Sequence, residues 1–139
     1  MKQPQPRSSA AQLSAAVTTH CSGKGYAVDG PETDKYGYLN FEVSLPGHPA
    51  KVRLSLNGEV FALSFPAGYN WTEYAQYPED ELEALAAALA FLDAYADART
   101  REVEVKRRLR PPRLELHVSN GAVLRRRGWS KGPPDLPES

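Results

Sequence analysis

The sequence predicts an α+β fold: an antiparallel sheet of about five to six strands, a long amphipathic helix packed on one face, and a short N-terminal helix. Three observations predict it. Several short stretches alternate apolar with polar residues and end in Gly, Pro or Asn-Gly. One Ala/Leu-rich stretch after Pro78 repeats its apolar residues at steps of three and four. Asn-Gly occurs at Asn57-Gly58 and Asn120-Gly121, each time between alternating stretches.

Residues 1–7 are rich in Pro and Gln and are expected to be disordered, as is the tail 131–139, leaving 8–130 as one α+β domain. Ser8 or Ser9 is a suitable cap for a helix from Ala10 to about Thr19, with Leu13, Ala16 and Val17 inward. His20–Gly25 ends it, Tyr26-Ala27-Val28 reads as a short extended piece, and Asp29–Asp34 as loop.

Leu39, Phe41, Val43 and Leu45 alternate with Asn40, Glu42 and Ser44, so a strand with period 2 puts the apolar set on one face. Pro46–Pro49 turns the chain, and Val52, Leu54 and Leu56 alternate in the same way. A two-residue turn at Asn57-Gly58 would set Leu56 against Glu59, Leu54 against Phe61 and Val52 against Leu63. Residues 66–78 read as an aromatic loop. In the helix that follows, Leu82, Leu85, Leu89, Leu92 and Ala96 form the expected buried stripe, and the alanines allow close approach to a sheet. Asp80 and Glu83 have capping-box spacing, and Pro78 fits the first helical position equally well.

Val103 and Val105 mark a fourth strand that can continue to Leu109, and Pro111-Pro112 interrupts it because neither residue can donate to a ladder. Leu114, Leu116 and Val118 form a fifth, followed by Ala122–Arg127. A strict turn at Asn120-Gly121 would oppose Leu116 to Arg125, so a bulged loop pairing Val118 with Ala122 and Leu116 with Leu124 is expected. The element order is then α-β-β-β-α-β-β-β.

The 139 residues carry no formal net charge, but the charge is unevenly placed. Residues 29–97 hold twelve Asp or Glu against Lys35, Lys51 and Arg53, a balance of −9, and residues 98–131 have a balance of +8. The apolar run Leu85–Leu92 is far short of a bilayer span, and the N-terminus has no apolar region of signal-peptide type, so no membrane role is expected. The single cysteine, Cys21, rules out an intrachain disulfide framework and makes a cytoplasmic setting the default.

No catalytic constellation stands out. His20, His48 and His117 have no metal-ligand spacing, and Cys21 beside His20 lacks the directed geometry of a thiolate–imidazole pair. Glu79, Asp80, Glu81 and Glu83 are explained by the unsatisfied N–H groups of a helix start. No phosphate-binding loop is present, and neither cofactor nor metal is expected.

Two surfaces carry the functional expectation. The first is the partner-binding set Tyr69, Glu73, Tyr74, Tyr77, Glu79, Asp80, Glu81 and Glu83, where aromatic anchors meet a negative field. Within it Tyr69 and Tyr77 are expected to be accessible, while Trp71 folds back on the core. The alternative is a basic site of Lys106, Arg107, Arg108, Arg110, Arg113, Arg125, Arg126 and Arg127, with Trp129 nearby, suited to nucleic acid. A homodimer through the last hairpin stays open, its edge being blocked only by charge.

The strand meander, the stretch SFPAGYNWTEYAQYPED, the Ala/Leu helix to Asp97 and the closing hairpin with Trp129 together resemble the layout of small cytoplasmic immunity proteins encoded beside bacterial polymorphic toxins. The resemblance covers residues 36–129 as an arrangement. It implies a protein that binds and blocks a cognate toxin domain without catalytic residues of its own, and it implies the acidic, aromatic 69–83 surface as the binding face. The basic 106–127 region departs from that pattern.

Overall fold

The computed structural model describes residues 9–126. It is an α+β fold with two antiparallel sheets, of five and three strands, a long helix and a shorter N-terminal one. The predicted sheet is therefore divided in two. The order is α1 (Ala10–Lys24), β1 (Ala27–Thr33), β2 (Leu39–Ser44), β3 (Val52–Leu56), β4 (Val60–Ser64), β5 (Asn70–Tyr74), α2 (Glu81–Ala96), β6 (Arg101–Arg107), β7 (Arg110–His117) and β8 (Val123–Arg125). Each sheet is a simple meander, with neighbours in space following neighbours in sequence.

The alternation of β2, β3 and β4 builds the core. Phe41, Val43, Val52, Leu54, Leu56, Phe61 and Leu63 are fully buried on one face of the larger sheet. Helix α2 covers that face at β4 and β5, and α1 packs against β1 and α2. Trp71 folds back as expected, stacking on Phe91 at 4.3 Å.

Helix α1 begins with a capping box: Ser9 accepts from the Gln12 amide and the Gln12 side chain accepts from the Ser9 amide. It runs on to Lys24, past its expected end, because Cys21 continues the buried stripe of Leu13 and Val17. Gly25, at φ +78, then closes it in the left-handed conformation that lacks a Cβ penalty.

Two strands lie where loops were expected. In β1 the Gly30-Pro31 segment is carried through pairing with β2 by a register shift between Asp29 and Glu32. In β5, Trp71 faces Leu63 and Glu73 faces Phe61, so the core side of this edge strand carries one acid in place of an apolar residue. That substitution hides the alternation.

The first Asn-Gly hairpin has a different register from the expected one. Leu56 pairs with Phe61 and Leu54 with Leu63. The Asn57 side chain accepts hydrogen bonds from the amides of Glu59 and Val60, both at 2.9 Å, widening the turn by two residues. A shift of two keeps every side chain on its face, so the core is unaffected. The second hairpin forms as expected, with Leu116 opposite Leu124 and the Val118 amide donating to the Ala122 carbonyl at 2.8 Å.

β6 and β7 form a hairpin whose turn is Arg108-Leu109, and Pro111-Pro112 lies inside β7. Among the described residues β8 pairs only with Glu115, Leu116 and His117, so the described ladder gives Pro111 and Pro112 a neighbour on the β6 side alone, a setting in which proline is tolerated. The smaller sheet is held by Leu116, Val118 and Leu124, which are buried, and by the end of α2: Ser119 and Thr100 hydroxyls both donate to the Ala94 carbonyl.

Candidate functional site

The expected partner-binding set is split by the fold. Tyr74 and Tyr77 are 73% and 53% exposed, at the end of β5 and just before α2, and Glu79 and Glu83 are exposed beside them. Asp80 is half-buried in the 3-10 turn Pro78–Asp80 that leads into α2. Its backbone is already helical and it makes no side-chain cap, because capping requires an extended backbone at that residue. Pro78 takes the first position of the turn.

Tyr69 and Glu81 do not belong to this surface. Tyr69 is buried, and its hydroxyl donates to Glu102 at 2.7 Å across the junction of the two sheets. Burial, the hydrogen bond to Glu102 and its charge push the phenol well above its ordinary range. Glu81 is fully buried, with its carboxylate against Gly58. Gly58 has φ +95, and a Cβ there would stand 3.5 Å from the Glu81 Oε1, so the turn and the helix start fit face to face. Glu73 is occupied too, accepting from the Trp71 indole at 2.8 Å.

The register of α2 explains the exchange. Its buried face consists of Glu81, Ala84, Leu85, Ala88, Leu89, Phe91, Leu92 and Tyr95. Leu82, expected inside, is 50% exposed. It opens an apolar groove of about 660 Å³ between the helices, lined by Ala15, Ala16 and Thr19 of α1 and Leu82, Leu85, Ala86, Leu89 and Ala90 of α2. Leu82 was thus a surface residue that the three-four spacing concealed.

The far end of the groove is polar. Asp93 lies 3.0 Å from His20 Nε2, accepts from the Tyr26 hydroxyl at 2.7 Å and stands 3.7 Å from Lys24 Nζ. Burial first, then the hydrogen bond to Asp93, hold the Tyr26 phenol well above its usual range. The neighbouring Cys21 is buried and its thiol is pushed up to about 11 by burial and by Asp93, so it is a poor nucleophile. An imidazole–carboxylate pair without an activated nucleophile serves here as a tie between the two helices.

His48 lies 3.4 Å from the Ala96 carbonyl and packs on Tyr95, while His117 sits 3.2 Å from Glu115. Among the described residues no group of three or more His, Cys, Asp or Glu could hold a metal. No helix there is long and apolar enough to cross a membrane.

The alternative basic site is also divided. Lys106, Arg108 and Arg110 are exposed near the β6–β7 turn, and Arg107 is half-buried, donating from Nε and Nη2 to the Pro111 carbonyl. Arg113 and Arg125 turn to the buried Glu115, at 3.1 and 3.7 Å, and Arg126 donates to the Ala67 carbonyl at 2.7 Å. Arg127 and Trp129 lie outside the described residues, as do the termini expected to be disordered.

Comparison with protein-family models, with curated proteins and with solved structures finds no match. The functional reading therefore rests on the chain's own chemistry.

Proposed function

We propose that the chain is a non-enzymatic protein-binding module and, within that class, a cytoplasmic immunity protein that binds and inhibits a cognate bacterial toxin domain. The observation that carries the reading is the exposure of Tyr74, Tyr77 and Leu82 within nine residues, beside the carboxylates of Glu79 and Glu83. Aromatic side chains offer large apolar area with a hydrogen-bonding tip and dominate binding energy where they become buried. The acidic neighbours favour a basic partner and act mainly on the rate and orientation of encounter. From Leu82 the groove between α1 and α2 continues the apolar area, suiting an apolar side chain from a basic segment of that partner.

The test is capture with the product of the neighbouring gene, followed by titration of variants. Tyr77→Ala is expected to weaken binding by about 30-fold, corresponding to roughly 2 kcal/mol at a true anchor. Combined Glu79→Gln and Glu83→Gln should slow association and leave dissociation nearly unchanged. A tight partner indifferent to both changes would remove this surface. Recovery of a small molecule and no protein partner would remove the protein-binding reading.

A further inference from the structure

We propose that the β6–β7 hairpin is a nucleic-acid-binding arm: a basic two-stranded ribbon that enters a duplex groove with Leu109 at its tip. The proposal uses residues separate from the Tyr74–Leu82 surface and stands independently of it.

The first support is the shape of the hairpin. Among the described residues β8 pairs with β7 only at Glu115, Leu116 and His117, and beyond that point the described β6 and β7 run on as a two-stranded ladder. A two-stranded ribbon is of the right width for the major groove of a duplex, roughly 12 Å across.

The second is its charge. Among the described residues none of Lys106, Arg107, Arg108 and Arg110 has an ion-pair partner, and Arg107 lies directly opposite Arg110 in the ladder. Like charges across a ladder destabilise it, and a phosphate backbone between them reverses the sign of that interaction. Arg107 is held by its two bonds to the Pro111 carbonyl, so part of the ordering cost of contact is already met within the chain.

The third is the tip. Leu109 is 97% exposed and sits at φ +62, a left-handed conformation unfavourable for a residue with a branched side chain. Neither the exposure nor the backbone conformation is offset by packing within the described residues. In the major groove an apolar side chain at the tip of a basic ribbon can pack on the thymine methyl groups of the base edges. The exposed Pro111 and Pro112 are consecutive, and because strand amides alternate between edges one of them leaves the outer β7 edge short of a donor, which disfavours docking by strand addition.

A labelled mixed-sequence duplex, titrated with the whole chain at several salt concentrations, tests the proposal. With about four phosphate contacts, affinity should fall roughly 100-fold between 50 and 200 mM salt. Combined Arg107→Ser, Arg108→Ser and Arg110→Ser should abolish most of the binding and flatten the salt dependence. Leu109→Ser should weaken binding severalfold while leaving the salt slope unchanged. Circular dichroism of each variant establishes that it is folded, and Leu109→Ser supplies a milder change should the triple variant unfold. Absence of duplex binding at low salt would overturn the proposal. So would binding indifferent to both substitutions, or retention only on vesicles of anionic lipid.

Discussion

The five-stranded and three-stranded sheets differ most in what stands behind them. Two helices cover the larger sheet, and side chains as large as Phe41 and Phe61 are wholly removed from water there. Behind the smaller sheet the buried apolar residues, among those described, are Leu116, Val118 and Leu124, and its hairpin extends past them into Lys106–Arg110. Hydrophobic burial scales with area removed from water, so stability belongs chiefly to the first unit, while the second presents charge. Both candidate binding surfaces lie where packing stops: at Tyr74, Tyr77 and Leu82 on the first unit, and at the hairpin tip on the second.

Breaking the larger unit should have the greatest effect. Phe61→Ala, in a site with no solvent access, is expected to cost about 3–5 kcal/mol in urea unfolding. In the smaller sheet, Leu116→Ala should cost about 2 kcal/mol. Native-state hydrogen exchange of that variant should quicken through β6–β8 more than through β2–β4. Equal acceleration in both would mean that the two sheets open as one.

Cys21, on α1 and acted on by the charge of Asp93 from α2, reports on the junction of the helices. Its folded pKa, about 11, lies above its ordinary value of 9.0, because burial disfavours the thiolate. The unfolded chain therefore loses this proton at lower pH than the folded one. Its contribution to stability is complete below pH 9.0 and is lost as pH rises toward about 11. A thiol reagent near neutral pH should label Cys21 only at the rate of opening, and rapid labelling of the folded chain would contradict the burial. The smallest effect is expected at the hairpin tip, where Leu109→Ser should leave stability within about 0.5 kcal/mol in the same urea assay.

The sequence disclosed the packed unit better than the surfaces. Alternation in β2 and β3 was legible because every core-facing residue was apolar, and at the second hairpin Leu116 and Leu124 could meet only through a bulge. The first hairpin was ambiguous for a physical reason: registers two residues apart bury the same faces, and the choice fell to the Asn57 side chain. Tyr69 went astray because its partner, Glu102, lies 33 residues away and belongs to the other sheet. Glu81 and Leu82 exchanged roles through the phase of one helix turn, set by contact with Gly58, which spacing within α2 does not encode. β5 was obscured by Glu73, an acid on the core side whose position is supported by the Trp71 indole.

The exposed Tyr74–Leu82 stretch of the packed unit is the surface we propose for a protein partner. A crossed titration with the captured partner separates it from the hairpin. One variant carries Tyr77→Ala with Leu82→Ala; the other carries Arg107→Ser with Arg108→Ser. The first is expected to lose about 30-fold or more in affinity, and the second to bind as the parent does at physiological salt. Full binding by the first variant, with loss confined to the second, would contradict it and move the protein interface to the hairpin.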